Sequence, residues 1–287
     1  MGKKSMHKTE RYLSPRDHQV LQFMGLTFLL TWGMWIPLVV LGWETPLMKI
    51  GTFGPTFAAL ILIIRGRGKA GLKRLGQKLT LWRVSWGWYA FVFLGPPLIM
   101  LGAVQIYIWM GGAGLTYNDP GQWYLTIPIF FFVLFTSVLG EEIGWRGYAL
   151  PGLLVKYNAL TASLILGFIW GLWHLPLFWM AGDFHREIPF FSFLLQCTAS
   201  AVIYSWLYVN TRGSLLIAHL FHAVSNTAAG LLPVLPGDTG GSLQPFHLTV
   251  GLLVLAAMGV VILFGMDLKL SEADGVVFDQ LGSEARI

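Results

Sequence analysis

Three short stretches of this sequence place ionisable or amide side chains within segments that are otherwise apolar. In chain order these residues are Glu141, Glu142, Arg146, His174, His219, His222 and Asn226. A polar or charged group is costly to bury, so each of these side chains needs a structural or chemical reason. One carboxylate, two imidazoles and one carboxamide are the groups that can activate a water molecule and stabilise an oxyanion. The spacing therefore makes hydrolysis the first chemical hypothesis.

The two adjacent glutamates are expected to differ in role. Glu142 precedes Arg146 by one helical turn, which is the favourable order for an ion pair on one helix face, and we predict that this pair is structural. Glu141 is turned about 100° away, so Arg146 cannot easily serve both acids. An unpaired carboxylate in an apolar setting can act as a general base. The alternative is that Glu141 only faces headgroup water at the inner end of its helix.

The histidines lie in two further segments. His174 is followed by Leu175 and Pro176, and a proline can open a helix locally. His222 and Asn226 share one helix face, whereas His219 lies on a neighbouring face, so we favour His222 as the chemically active residue. For each histidine alone, hydrogen bonding between helices is the alternative.

The same residues could hold a divalent metal such as zinc. Glu141, His174 and His222 would form a His₂Glu set that leaves one position open for water. The sequence has no HExxH motif, so zincin chemistry receives no local support. The single cysteine, Cys197, excludes a cysteine-rich metal site. The sequence leaves open whether the site uses a metal or no cofactor.

The elements that must position these residues are membrane-spanning helices. Charged residues make up 11% of the chain and hydrophobic residues 55%, whereas a soluble domain carries about 25% charged residues. Windows of about 20 apolar residues predict an all-α, polytopic membrane bundle of about eight transmembrane helices. Whether the second window crosses fully is open. The windows lie between Asp17 and Glu44, from about Pro46 to Ile64, between Arg83 and Asp119, from about Trp123 into Glu141, and at Ala159–Met180, Ile188–Val209, Gly213–Leu232 and Phe246–Met266.

The basic residues predict the orientation of these helices. With a cytoplasmic N-terminus, only Lys49 and Arg186 of the 19 lysines and arginines fall outside. The positive-inside rule then predicts a multi-pass protein of the cell membrane with both termini in the cytoplasm. This placement explains the net charge of +5 without a nucleic-acid partner. The segment GKAGLKRLGQKLTLW is interpreted either as a basic amphipathic helix on the inner leaflet or as an ordinary charged loop.

The domain organisation follows from the same windows. We predict a cytoplasmic N-terminal tail at 1–18, a single transmembrane domain at 19–266 with its motif core at about 123–232, and a cytoplasmic C-terminal tail at 267–287.

The three motifs resemble those of the CAAX-protease and bacteriocin-processing family, also called the CPBP or ABI family. Its pattern is EExxxR, FxxxH and HxxxN on three separate transmembrane helices. EEIGWR and HAVSN match the first and third motifs in full. The second reads WGLWH, with Trp170 where the family most often has Phe, and we expect this change to affect packing more than chemistry.

The resemblance implies a bundle that encloses a polar chamber open toward the cytoplasm. It also implies an intramembrane endopeptidase similar to type II CAAX prenyl endopeptidases, with a peptide or membrane-protein substrate that could be lipidated. By analogy, Glu141 and His174 would activate water, and His222 and Asn226 would hold the oxyanion. The supporting residues would be Glu142, Arg146, Trp170 and His219. The family has been described both as metalloproteases and as glutamate-dependent proteases.

Two other functions fit the buried ionisable residues. A proton- or ion-coupled transporter could use them as a relay, although no repeated pair of interrupted helices is found. A non-catalytic membrane partner, such as a bacteriocin immunity protein, is the other, and the intact motifs argue against it.

A site shared by His174 and His222 requires that the two residues lie at similar depth in the membrane, and the sequence predicts different depths. At 1.5 Å per residue, His222 should lie about 13 Å and His174 about 22 Å from the inner ends of their helices.

Overall fold

The computed structural model describes residues 17–43, 47–113, 115 and 124–270. The predicted tails, 1–18 and 267–287, lie almost wholly outside these residues, so their predicted location stays a prediction. The described residues form helices and connecting turns without a strand, which confirms the all-α prediction. The helices are α1 (Asp17–Leu41), α2 (Leu47–Gly51), α3 (Gly54–Leu79), α4 (Trp86–Trp109), α5 (Thr126–Leu153), α6 (Ala159–Trp173), α7 (Phe190–Asn210), α8 (Leu215–Leu231) and α9 (Gln244–Phe264).

Within the described ranges, seven helices are long and apolar enough to cross a membrane: α1 and every helix from α4 to α9. The predicted second window is the exception, because its helix breaks at Thr52 and Phe53, between α2 and α3. The prediction of about eight crossings is thus confirmed only as an approximate number. The chain is a multi-pass membrane protein.

The broken second segment has its backbone polar groups satisfied by α1. The Thr31 hydroxyl donates to the Gly51 carbonyl at 3.0 Å, and the Trp35 indole donates to the Met48 carbonyl at 2.9 Å. Unpaired carbonyls within a membrane are costly, so irregular backbone is tolerated only where other protein groups satisfy it. The break between α2 and α3 is therefore stabilised by hydrogen bonds from side chains of α1.

Helix α3 continues past a non-helical Gly68 to Leu79, through the basic segment singled out in the sequence. This confirms the helical interpretation of that segment over the loop interpretation. Gly71 and Leu75 are buried, whereas Lys69 and Lys73 are exposed, so the helix is amphipathic as predicted. Its position on the inner leaflet stays a prediction.

Helix α5 carries both glutamates between two π-helical segments, Leu134–Val138 and Trp145–Ala149. Between them, two glycines lie against the start of α3. A Cβ atom added at Gly140 would lie 2.7 Å from the Thr52 carbonyl oxygen, and one added at Gly144 would lie 2.6 Å from the Pro55 carbonyl oxygen. Only glycine permits this approach of two backbones, which fixes the segment that carries the acids.

We expect Gly144→Ala to destabilise the protein, because the new methyl group would lie 2.5 Å from Pro55 Cβ. Overpacking of this kind costs about 1–3 kcal/mol. The matched control is Gly259→Ala in α9, where an added Cβ meets nothing within 4 Å. Thermal unfolding in detergent should show a lowered midpoint for Gly144→Ala alone. Equal midpoints for the two variants would contradict the close approach of α3 and α5.

The helix that ends just before His174 and the helix that carries His219 and His222 both begin at side-chain caps. The Asn158 side chain accepts a hydrogen bond from the Thr161 backbone N–H at 2.8 Å and starts α6. The Ser214 hydroxyl accepts one from the Ile217 N–H at 3.2 Å and starts α8. Such caps satisfy N–H groups that the first helical turn leaves without partners. Their positions set where the histidines fall along each helix.

Candidate active site

Glu141 and His174 face each other inside the bundle. Glu141 Oε2 and His174 Nε2 are 4.0 Å apart, and the two residues are 4% and 8% exposed. This separation is too long for a direct hydrogen bond and suits one bridging water molecule. The fourth and fifth predicted spans therefore converge at these two side chains.

The tautomer of His174 follows from its other ring nitrogen. Nδ1 lies 2.8 Å from the Trp170 carbonyl oxygen, which can only accept, so Nδ1 carries the hydrogen. Nε2 then presents a lone pair toward Glu141 Oε2. A water molecule between two acceptors would donate one hydrogen to each, leaving its oxygen lone pairs free to attack a carbonyl carbon.

Trp170 makes a direct polar contact with the carboxylate. Its indole N–H donates to Glu141 Oε2 at 2.7 Å, and both side chains are buried. This contact was not part of the expectation that a tryptophan here affects mainly packing, because a phenylalanine has no hydrogen-bond donor.

Glu142 forms the predicted ion pair and a further contact that was not predicted. Its Oε1 accepts from Arg146 Nη1 at 2.7 Å and from His222 Nδ1 at 2.8 Å. The guanidinium carbon of Arg146 also lies 3.8 Å from the ring centroid of Tyr204, which is a cation–π contact. The two adjacent glutamates thus bind different helices, Glu141 on α6 and Glu142 on α8.

The predicted difference in depth does not separate the two candidate histidines, His174 and His222. Helix α6 ends at Trp173, one residue before His174, and a 3₁₀ turn that contains Pro176 follows. The Trp170 ring centroid lies 5.8 Å from that of His174 and 5.7 Å from that of His222. The Trp170 indole is therefore close to both imidazoles.

The remaining residues of the third motif differ in exposure. Asn226 is exposed one turn beyond the buried His222, and its side chain makes no hydrogen bond to another described residue. His219 is buried, and its Nδ1 bonds within α8 to the Leu215 carbonyl at 2.6 Å. His219 is thus engaged inside its own helix and does not touch Glu141.

The side chains present do not fit the predicted metal set. Across the described residues, no three His, Cys, Asp or Glu side chains are placed so that they could hold a metal ion. Glu141 and His174 face each other, and within the described part of the chain no third side chain of these types joins them.

Two residues next to His174 were not predicted from the sequence. The His185 ring stacks on the His174 ring, with centroids 5.6 Å apart. Asp183 accepts from the His185 ring at 2.5 Å and from its backbone N–H at 3.0 Å. Burial raises the pKa of Asp183, but these hydrogen bonds outweigh burial and leave the pKa below its usual range. The signal available in the sequence was the Asp-x-His pair in the short loop after the fifth span.

Comparison with known proteins identifies this arrangement. A family model for type II CAAX prenyl endopeptidase Rce1-like proteins matches residues 122–228, which include Glu141, His174, His222 and Asn226. A CAAX prenyl protease 2 from Methanococcus maripaludis is 26% identical over 225 residues, covering 72% of this chain and 83% of the relative. The chain is similar to Rce1-like proteins. These two matches confirm the resemblance seen in the motifs and support an intramembrane endopeptidase over a transporter.

Proposed function

We propose that this Rce1-like protein is a glutamate-type endopeptidase in which Glu141 and His174 hold the attacking water. The observation that carries the proposal is the buried gap of 4.0 Å between Glu141 Oε2 and His174 Nε2. Glu141 takes one proton from the water as the water oxygen bonds to the scissile carbonyl carbon. The same carboxyl group then returns the proton to the leaving amine nitrogen as the C–N bond breaks.

His222 and Asn226 are proposed to stabilise the oxyanion of the tetrahedral intermediate. His222 holds its Nδ1–H toward Glu142, which leaves Nε2 as the nitrogen that can face the substrate. Nε2 can donate to the oxyanion when both ring nitrogens carry hydrogen, with Nδ1–H held by the Glu142 carboxylate. The Asn226 amide, exposed one turn further along α8, supplies a second donor.

The proposed substrate is a peptide or membrane protein carrying a prenylated CAAX-type C-terminus. Support comes from the matching family description and from the name of the archaeal relative. We further propose that α2 and α3 together complete an eighth crossing of the cell membrane. Both termini then lie in the cytoplasm, and only Lys49 and Arg186 of the 19 basic residues fall on the outer side. The scissile bond would then lie near the cytoplasmic face, next to the lipid bilayer.

Cleavage by purified protein tests this proposal. We expect the protein in detergent to cleave a farnesylated CAAX-type peptide, and to cleave the same peptide without the farnesyl group at least about tenfold more slowly, because the apolar chain adds binding energy. Mass spectrometry of the products identifies the bond that is cut. Equal rates on the two peptides would contradict prenyl recognition.

Metal analysis of the same preparation tests the glutamate-type mechanism. We expect cleavage to survive a chelator, because the donor set does not gather three ligands. Loss of activity on chelation, with recovery on adding zinc, would overturn the proposed mechanism while leaving the peptidase function in place.

A further inference from the structure

Trp170 contacts both halves of the site. Its indole N–H donates to Glu141 Oε2 at 2.7 Å, and its carbonyl accepts from His174 Nδ1 at 2.8 Å. Its ring lies 5.7 Å from that of His222 and 4.4 Å from the Arg146 guanidinium carbon. One residue thus touches the base, its partner histidine, and two members of the neighbouring ion-pair network.

The indole bonds the carboxylate oxygen that faces His174. Glu141 Oε2 is both the atom that accepts from Trp170 and the atom 4.0 Å from His174 Nε2. A hydrogen bond to a carboxylate limits its rotation and lowers its affinity for a proton. Because the site is buried, little solvent can replace that donor, and Trp170 is itself only 6% exposed.

We propose that Trp170 is a positioning residue that orients the Glu141 carboxylate and sets its proton affinity for the reaction. This inference rests on the proposed function, in which Glu141 is the general base. The role goes beyond packing, because the shape of an aromatic ring alone supplies no donor. The titratable groups that also act on or lie near Glu141 are Glu142 and Arg146 of α5, His174 next to α6, Cys197 and Tyr204 of α7, and His222 of α8.

The test is Trp170→Phe, which keeps an aromatic ring and removes the indole N–H. We expect kcat on the farnesylated peptide to fall about tenfold near neutral pH with KM unchanged. A fall of this size corresponds to the loss of one hydrogen bond to a charged group. We expect the deficit to shrink as pH rises, because a carboxylate without its donor holds its proton more tightly. A variant that only loses packing would lose activity equally at every pH.

The matched control is Trp206→Phe. The Trp206 indole is 7% exposed, and its N–H has no hydrogen-bond partner among the described residues. It packs against Trp88, Phe91 and Phe264. This substitution removes the same atoms from a buried aromatic cluster, and we expect kcat and its pH dependence to match those of the wild type.

Two outcomes overturn the inference: equal kcat values for Trp170→Phe and Trp206→Phe, or a deficit in Trp170→Phe that does not change with pH. A readout that does not require activity is the thermal midpoint of Trp170→Phe, Glu141→Leu and the double variant. Coupled Trp170 and Glu141 should give non-additive shifts, and additive shifts would also overturn the inference. If Glu141→Gln retained full cleavage, the proposed function would fail, whereas non-additive midpoints would still show the hydrogen bond.

Discussion

Replacing Glu141 with glutamine is expected to abolish peptide cleavage while the protein stays folded. Loss of a general base lowers the rate by about 10²–10⁴-fold. Glutamine has the same shape as glutamate, and its amide oxygen can still accept the hydrogen bond that Trp170 donates at 2.7 Å to the native carboxylate. The measurements are cleavage of the farnesylated peptide and the thermal midpoint in detergent.

The control for this substitution is Glu187→Gln. Glu187 is exposed in the loop before α7, so the same chemical change should leave cleavage at the wild-type rate. Full activity of Glu141→Gln would remove this residue from the mechanism. A strongly lowered thermal midpoint for Glu141→Gln would instead show that the carboxylate is needed for folding.

Replacing Arg146 with methionine is expected to give a large loss of stability. Arg146 and Glu142 are both fully buried, and their ion pair also holds His222. Removing one partner leaves an uncompensated charge on Glu142 in the interior, which costs about 3–5 kcal/mol. We expect little folded protein after extraction, measured as the monodisperse fraction and the thermal midpoint.

The double variant Glu142→Gln with Arg146→Met separates charge from packing. It removes both charges, so we expect it to be more stable than Arg146→Met alone. If the two variants were equally stable, the loss would come from packing of the arginine stem and its contact with Tyr204, at 3.8 Å from the guanidinium carbon.

Much of the fold could be predicted from the sequence because apolar windows and basic residues report directly on burial in a membrane. The crossings at α6, α7, α8 and α9 begin or end within a few residues of the predicted windows. The second window was predicted as one helix but forms two, α2 and α3. Its break at Thr52 depends on side chains of α1 that satisfy its carbonyls, and such contacts leave no mark in local hydropathy.

Contacts within one helix of the candidate site could be predicted from the sequence, whereas contacts between helices could not. The pair of Glu142 and Arg146 is local, four residues apart, and helical spacing alone predicts it. The bond from His222 to Glu142 joins residues 80 apart, and the bond from Trp170 to Glu141 joins residues 29 apart. Spacing indicates which helix face a residue occupies but not which rotamer it adopts or which partner it meets across the bundle.

In the proposed mechanism, the two neighbouring acids of α5 have different roles, one in catalysis and one in assembly. Glu141 faces His174 and would hold the attacking water, whereas Glu142 connects α5 to α8 through His222. A deleterious change at the first position should accumulate in cells as intact but inert protein, and one at the second should be degraded. Selection would then preserve both residues equally in descendants of this chain, although one is retained for turnover and the other for survival in the membrane.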